Sequence, residues 1–415
     1  MLRSVIAVCF LLTTLSSFSQ RIGSISFEGL NRTKQSYIAQ FVECKIGDPI
    51  DSAQLELDRQ RLTNVEVLSS ATYQVLGEGE ERDLVFICQE LHTVLPIFSF
   101  GGIKENFWIQ TGVSDVNLGG RGNKLTTYYQ YYDRSSLAAH LTFDRIKQSP
   151  WGVNVNLVKW ATIEPLFFNS QQADYEYTNY TIGATGLYNF NFTDRIEFGG
   201  AFFTENYQKL QETPIEGAPD EVDKNKILGK VSMTWNRVNY HFFYLIGWHV
   251  QLNAQTVQSL DDDPAFYIMF NDFKKFHRFG KKGNFASRLR LGLSTNEESP
   301  FAPFVLDSYL NIRGVGNRVD RGTGAIILNL EHRQTLCERE KFAIQAVAFS
   351  DMGSWRNPGG GFDDFTESDN LVLFAGGGFR FIHKKIYNAI FRIDYGINLQ
   401  DSKVNGFVLG IGQYF

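Results

Sequence analysis

Short segments in which apolar and polar residues alternate recur from residue 93 to residue 415. The clearest covers residues 244–253, with the sequence YLIGWHVQLN, where every second side chain is large and apolar. Side chains of a β-strand point alternately to its two faces, so this pattern predicts strands with one apolar and one polar face. Residues 288–293, 326–333 and 388–398 repeat the pattern, and no convincing helical period interrupts it. Residues 93–415 are therefore predicted to consist of β-strands.

The polar faces of these strands indicate which side lies inside. They carry charged side chains such as Arg288, Arg290 and Glu331, which the dry core of a soluble sandwich would not accommodate. Strands of about 10 residues with aromatic residues near their ends are typical of outer-membrane barrels. No stretch after residue 19 has the ~20 uninterrupted apolar residues of a membrane helix. The sequence thus predicts a transmembrane β-barrel with an apolar outer surface and a polar lumen.

The spacing of the segments predicts the number of strands. About 20 residues for each strand with its connection gives roughly 16 antiparallel strands. The connections alternate between long and short, as extracellular loops and periplasmic turns do. Residues 296–323 form the sixth long connection, which is the expected sixth extracellular loop. Because an even number of strands returns the chain to its starting side, both ends of the barrel are expected in the periplasm.

The first residues predict export. Residues 1–19 contain a basic residue, an apolar run from Val5 to Leu12 and a small residue before Gln20, as secretory signal peptides do. Cys9 lies inside the apolar run and not at the cleavage point, so lipid attachment there is not expected. The formal net charge is −5 and the basic residues are scattered, which argues against a nucleic-acid partner.

Residues 20–92 predict a separate small domain. A short alternating strand near residues 22–27 is followed by a helix capped near Thr33 that runs to about Val42. Residues 47–49, Gly-Asp-Pro, break that helix, and a second helix begins near Ser52. Strands at residues 71–76 and 84–89 complete a β-α-α-β-β unit. Because it precedes the first barrel strand, this α+β domain is expected in the periplasm.

Two cysteines of the small domain leave two alternatives open. Cys44 and Cys88 fall in the same domain of an exported protein, where the compartment permits disulfides. They either form a disulfide bond or remain two free, buried thiols that pack as small apolar residues.

Ordered motifs in both regions resemble one known family. In residues 20–92 they are Ile25-x-Phe27-x-Gly29-Leu30-Asn31, Gly47-Asp48-Pro49-Ile50-Asp51 and the stretch from Leu57 to Leu62. In the barrel they are Tyr309-Leu310-Asn311-Ile312-Arg313-Gly314-Val315-Gly316, Asn329-x-Glu331-x-Arg333, Phe349-Ser350-Asp351-Met352-Gly353, Gly376-Gly377-Gly378-Phe379-Arg380 and Arg392-x-Asp394-Tyr395-Gly396. The mature chain therefore resembles the BamA/TamA superfamily of outer-membrane assembly and translocation proteins, and residues 20–92 resemble its POTRA domain.

The resemblance implies that Arg313 and Gly314 belong to a loop that folds back into the lumen. Val315 stands where that family usually has an aromatic residue. Asp351 and Glu331 lie on inner strand faces, so we expect Arg313 to pair chiefly with Asp351 and secondarily with Glu331, because a buried guanidinium–carboxylate pair is a directional tether. The alternative is that Arg313 faces water. Three further charges are expected in the lumen: Arg380, Arg392 and Asp394.

The first and last strands, which must meet to close the barrel, contain residues that weaken strand pairing. Pro96 lies in the first strand, and Gly406, Gly410 and Gly412 lie in the last. This composition predicts either a weak seam that opens laterally, as proposed for the resembled family, or an ordinary closed seam with a bulge. Phe415 is expected to end the last strand, as the terminal aromatic residue of barrels handed to an outer-membrane insertion machine does.

The sequence predicts no enzyme. No phosphate-binding loop, nucleophile elbow or metal-ligand spacing occurs, so no metal or cofactor is expected. One function class is insertion or translocation of unfolded outer-membrane or secreted polypeptides, with the POTRA domain capturing clients by β-augmentation. The alternative is a channel or adaptor barrel that docks a periplasmic partner. The expected partners are the outer-membrane bilayer, polypeptide clients and periplasmic proteins or lipoproteins. A single POTRA domain suggests a specialised or accessory member.

Overall fold

The computed structural model describes two domains. It covers residues 20–101, 107–168, 171–211, 214–241, 243–261, 263–296, 303–306, 310–316 and 321–415. The expected signal peptide, Tyr309 and part of the loop at 296–323 lie outside these residues. None of the helices in the described part of the chain is long and apolar enough to cross a membrane.

The small domain is a three-stranded sheet with two helices. Its strands are paired in the order β1-β3-β2, with β1 parallel to β3 and β2 antiparallel to it. The carboxylate of Asp51 accepts a hydrogen bond from the Ala53 N–H at 2.9 Å and so caps the second helix. The first helix is shorter than predicted and ends in a 3-10 turn, Ala39–Phe41. The elements are β1 (Arg21–Glu28), α1 (Gln35–Ile38), α2 (Ser52–Thr63), β2 (Leu68–Leu76) and β3 (Glu81–Glu90).

The core of this domain contains both cysteines as free thiols, so the disulfide alternative is wrong. The backbone N–H of Cys44 donates to Asp58 Oδ2 of α2 at 3.0 Å. The sulfur of Cys88 instead lies 4.0 Å from the carbonyl oxygen of Phe86 within β3. The two cysteines thus engage different elements. Burial raises the pKa of Cys88 to about 11 and, with the Asp58 carboxylate, the pKa of Cys44 to about 12.

The large domain is a closed barrel of 16 antiparallel strands, as predicted. Each strand pairs with its neighbours in chain order, and β21 pairs with β4 to close the ring. Two short strands, β15 (Phe304–Val305) and β16 (Arg321–Gly322), pair with each other within the loop between β14 and β17. The barrel strands are β4 (Val94–Gly101), β5 (Trp108–Leu118), β6 (Asn123–Tyr132), β7 (Arg134–Phe143), β8 (Trp151–Phe168), β9 (Gln171–Asn189), β10 (Asp194–Lys209), β11 (Glu221–His241), β12 (Tyr244–Ser259), β13 (Phe266–Phe279), β14 (Gly283–Ser294), β17 (Gly324–Glu338), β18 (Phe342–Arg356), β19 (Leu371–His383), β20 (Ile390–Asn398) and β21 (Asn405–Ile411).

Side chains alternate across the barrel wall. Large apolar residues such as Leu137, Leu157 and Ile182 point outward, and more than half of each side chain is exposed. Charged residues such as Arg333 and Glu331 point into the lumen and are fully buried. An apolar exterior around a polar interior is the arrangement that a lipid bilayer requires of a barrel.

The small domain marks one end of the barrel. Its Lys34 N–H donates to the Gly120 carbonyl oxygen at 2.9 Å, in the turn between β5 and β6. The connection from β14 to β17 lies at the opposite end and joins the eleventh and twelfth barrel strands. It is therefore the sixth connection at the end away from the small domain.

Candidate functional site

The tip of the sixth loop, residues 310–316, lies inside the lumen. Ile312 is fully buried and packs with Leu306 of the same loop against Ile327, Trp355 and Phe374 of the barrel wall. Val315, where the resembled family usually has an aromatic residue, is partly buried against the same apolar cluster. The loop tip is thus anchored by apolar contacts as well as by polar ones.

Two glycines allow the loop tip to approach the wall closely. Gly314 has φ +92°, a conformation that favours glycine. A Cβ atom on Gly396 of β20 would lie only 2.2 Å from the carbonyl oxygen of Arg313. Any larger residue at position 396 would therefore push the loop tip away from the wall.

Arg313 forms the central polar contact between loop and wall. Its Nε donates to Asp351 Oδ2 at 2.8 Å and its Nη2 to Asp351 Oδ1 at 2.9 Å, which is a bidentate pair. The Arg313 backbone N–H also donates to Asp351 Oδ2, at 2.9 Å. Its Nη1 donates to Glu331 Oε2. The structure therefore brings together the three residues that the sequence singled out, with most of the hydrogen bonds to Asp351.

Aromatic rings cover the guanidinium group of Arg313. Its Cζ lies 3.6 Å from the centre of the Phe349 ring and 4.5 Å from the centre of the Tyr414 ring. The side chains of Arg313, Asp351 and Glu331 have no solvent exposure. Cation–π contacts are strongest where water is excluded, so these rings add to the ion pairs.

The neighbouring lumen charges extend the network. Glu331 also accepts hydrogen bonds from Arg333 at 2.5 Å and Arg380 at 3.3 Å. Arg380 in turn donates to Asp394 at 2.6 Å. Arg392 points elsewhere, toward the carbonyl oxygens of Gly412 and Gln413. Paired charges of this kind avoid the large cost of an isolated buried ion.

Two further arginines of the site lie on β14. The sequence places them on a polar strand face but predicts no contact between them and the loop. Arg288 donates from Nε to Asn329 at 2.9 Å and from Nη2 to the carbonyl oxygen of Leu310 in the loop tip. Arg290 forms a bidentate pair with Asp272 and donates to Asn311 of the loop at 2.9 Å. Because Arg288 and Arg290 are two residues apart, the sequence predicts that both point to the inner face of β14. This spacing does not identify their partners in a distant loop.

The seam that closes the barrel lies between the first strand, β4, and the last strand, β21. Among the described residues, β21 and β4 are paired at Val408–Gly101, Leu409–Phe100 and Gly410–Ser99 alone. Pro96 is outside this ladder and faces Val113 of β5. Gly406 and Gly410 pair with β20, at Gly396 and Arg392.

The prediction for the last strand was wrong in two respects. The strand ends at Ile411, so Gly412 lies beyond it, with φ +95°, and turns the chain. Phe415 therefore does not end the strand. It packs near Val238, Phe276 and Ala286 on another part of the wall, and its backbone oxygen accepts a hydrogen bond from Arg333 at 3.3 Å.

The small domain contacts turns from several parts of the barrel. Arg32 forms an ion pair with Asp115 at 2.5 Å, and Glu66 forms one with Lys124 at 2.6 Å. Other contacts reach the turns after β9 and β19 and the end of β11. They are Arg61 over the Phe192 ring at 5.0 Å, the Tyr387 N–H to the His92 carbonyl oxygen at 3.0 Å, and Asn64 Nδ2 to Asn239 Oδ1 at 3.1 Å. The domain thus lies across this mouth of the barrel.

Glu90 fixes the segment of the small domain that faces the barrel. Its carboxylate accepts hydrogen bonds from the backbone N–H groups of Asn31, Arg32 and Thr33 and from the Thr33 hydroxyl. Burial acts to raise the pKa of Glu90, but these hydrogen bonds outweigh it and hold that pKa below the ordinary value.

Comparison with protein families places both domains. Residues 117–415 match the Omp85 superfamily domain, and residues 20–88 match the POTRA family described as surface antigen variable number repeat. No curated protein matches this chain.

Solved structures share the fold at low sequence identity. BamA from Haemophilus ducreyi lacking POTRA domains 1–3 is 13% identical, with a TM-score of 0.56 over 94% of this chain and 84% of that chain. CdiB from Acinetobacter baumannii is 10% identical, with a TM-score of 0.59 over 95% and 74%. CdiB from Escherichia coli is also 10% identical, with a TM-score of 0.60 over 95% and 77%.

Proposed function

Because this chain belongs to the Omp85 superfamily of outer-membrane proteins, we propose that it inserts polypeptides into the outer membrane or translocates them across it. The small domain is its single POTRA domain and faces the periplasm. It captures unfolded clients there, and the barrel passes them on.

The observation that carries this proposal is the seam. The described part of the seam pairs Val408 with Gly101, Leu409 with Phe100 and Gly410 with Ser99. Every other pair of neighbouring barrel strands is consecutive in the chain and joined by a connection, so the seam is the junction at which the wall can separate without a connection holding the two strands together. A client strand that pairs with the freed edge of β4 or β21 replaces the bonds lost when the two strands separate.

Arg313 acts in this scheme as a positioning residue. It performs no chemistry on a client; it holds the loop tip against β17 and β18 through Glu331 and Asp351. The loop tip in turn contacts β20 at Gly396. The loop tip therefore links β17, β18 and β20, the strands that lead to the seam.

The POTRA domain offers an edge for client capture. In the sheet order β1-β3-β2, strand β2 has a partner on one side within the sheet. Val75 and Leu76 at the end of β2 are 36% and 47% exposed. An extended client segment can add to such an edge through backbone hydrogen bonds, with these apolar side chains contributing contacts.

Depletion of the protein tests the proposal in the cell. We expect specific outer-membrane or surface proteins to fall in abundance on depletion and to recover when the wild-type chain is supplied again. The control is the same depletion with solute uptake measured in parallel. If uptake changes while the outer-membrane and surface proteomes stay constant, the channel or adaptor alternative replaces this function.

A further inference from the structure

The four residues after the last strand, Gly412–Phe415, leave the barrel wall and enter the lumen. We call them the tail segment. The geometry points to the tail segment as an internal ligand of the lumenal arginines, which joins the last strand of the barrel to the Arg313 loop tip. When β21 separates from β4, the tail segment moves with β21 and its contact with the loop tip is lost. Opening of the seam and release of the loop tip are therefore coupled. This inference rests on the proposed opening of the seam.

The turn at Gly412 directs the tail segment inward. Its φ of +95° favours glycine, and a Cβ atom there would lie 2.9 Å from the Asn388 side chain. The Gly412 N–H still donates to the Ile390 carbonyl oxygen at 2.8 Å, so the tail segment begins at a fixed point on β20.

Buried arginines bind the polar groups of the tail segment. Arg392 donates to the carbonyl oxygen of Gln413 at 3.0 Å, and Arg380 donates to the Gln413 side chain at 3.3 Å. Arg333 donates to the backbone oxygen of Phe415 at 3.3 Å. All three arginines are at most 5% exposed. Because these donors come from β17, β19 and β20, the tail segment is held to the wall along its length.

Tyr414 connects the tail segment to the loop. It is 5% exposed, and the centre of its ring lies 4.5 Å from the Cζ of Arg313 and 5.3 Å from the Cζ of Arg392. The ring thus lies between an arginine of the loop and an arginine of β20. The Cζ of Arg288, which binds the loop tip at Leu310, is 5.6 Å from the same ring.

The charges of the buried side chains around the tail segment explain why an aromatic segment fits between them. The buried arginines outnumber the carboxylates that pair with them, and Arg333 Nη1 has no hydrogen-bond partner among the described residues. Aromatic faces and backbone oxygens of the tail segment compensate this positive charge. The arginines are Arg288, Arg290, Arg313, Arg333, Arg380 and Arg392; the carboxylates are Asp272, Glu331, Asp351 and Asp394.

The test measures coupling between seam and loop in the full-length protein in lipid nanodiscs. A Cβ atom on Gly410 would lie 3.2 Å from Ser99 Oγ, so a disulfide between Ser99→Cys and Gly410→Cys locks the seam. The readout is the hydrogen-exchange rate of the backbone amides of residues 310–316. It is measured with the engineered disulfide formed and again after the disulfide has been reduced. We expect locking to slow this exchange in the otherwise native chain and to have little effect in Tyr414→Ala.

Two variants separate the role of the ring from a general loss of packing. Tyr414→Phe keeps the ring and should preserve the coupling. Tyr414→Ala removes it and should speed exchange of the loop tip about ten- to thirty-fold, as expected for a desolvated cation–π contact. Coupling is reciprocal, so Arg313→Ala should also shift the seam toward its open state, measured as slower cross-linking between the two cysteines.

Equal effects of the seam lock in native and Tyr414→Ala protein would overturn the inference. This readout is independent of client handling. Loss of coupling with normal client assembly therefore rejects the role of the tail segment alone, and intact coupling without client assembly rejects the proposed function alone.

Discussion

Replacement of Arg313 by Ala removes a side chain that joins the loop tip to both Asp351 and Glu331. It eliminates two side-chain hydrogen bonds to Asp351 and one to Glu331. Breaking a fully buried ion pair by deleting one partner costs about 3–5 kcal/mol. In this variant Glu331 still accepts hydrogen bonds from Arg333 and Arg380, and Asp351 still accepts one from Asn329. The carboxylates therefore retain partners, and the lower end of this range applies.

A cost of ~3 kcal/mol corresponds to a rise of roughly 100-fold in the population of the released loop. Hydrogen exchange of the backbone amides of residues 310–316 measures that population directly, because these amides exchange when the loop leaves the wall. We expect exchange in Arg313→Ala to be faster by about this factor, with unchanged exchange in the strands β5 to β8. Arg313→Lys should be intermediate, because it keeps the charge and loses the bidentate geometry.

The matched control is Arg134→Ala. Arg134 pairs with Glu176 at 2.8 Å, but both side chains are about one-third exposed, so the pair contributes only about 0–1 kcal/mol. Its loss should leave exchange of the loop tip unchanged. If Arg313→Ala gives the same exchange rates as Arg134→Ala, the ion pair does not hold the loop and the reasoning fails.

Three further outcomes follow from particular residues. At neutral pH a maleimide should label the partly exposed Cys337 and not the buried Cys44 and Cys88, whose raised pKa values keep them as thiols; mass spectrometry before and after denaturation counts the labels. Because the pKa of Glu90 is lower in the folded protein, its carboxylate stabilises the fold fully above the ordinary glutamate pKa of 4.5, and this stabilisation is lost as the pH falls through the lower pKa of the folded state. The melting temperature of Glu90→Gln should therefore depend less on pH in the acid range than that of the native protein. Gly396→Ala should displace the loop tip at a cost of about 1–3 kcal/mol and create a new protease site there, while an unchanged digestion pattern would show that the close approach is dispensable.

The barrel could be predicted from the sequence because its signal is local. Alternation with a period of two depends only on which residues face lipid and which face the lumen. That alternation also placed Glu331 and Asp351 on inner faces. The pairing with Arg313 could be proposed because the resemblance to the BamA/TamA superfamily implies an inward-folded loop, which brings Arg313 to the inner faces that carry these carboxylates.

The rest depends on contacts between distant parts of the chain. The end of β21 is set by Gly412 and by the arginines that bind the tail segment, so Phe415 lies in the lumen and not at the end of the strand. Likewise, the choice between a disulfide and two thiols was decided by the position of α2, whose Asp58 binds Cys44. No local pattern encodes either arrangement.

Client assembly with a reversible seam lock tests the central claim most directly. Cells depleted of the native protein would receive a chain with Ser99→Cys and Gly410→Cys, and a control chain with Ser114→Cys and Thr126→Cys. The control residues face each other on β5 and β6, with their hydroxyl oxygens 2.9 Å apart, away from the seam. We predict that oxidation stops the assembly or export of clients in the seam-locked chain alone and that a reductant restores it. Equal client assembly by both oxidised chains would contradict passage through the seam.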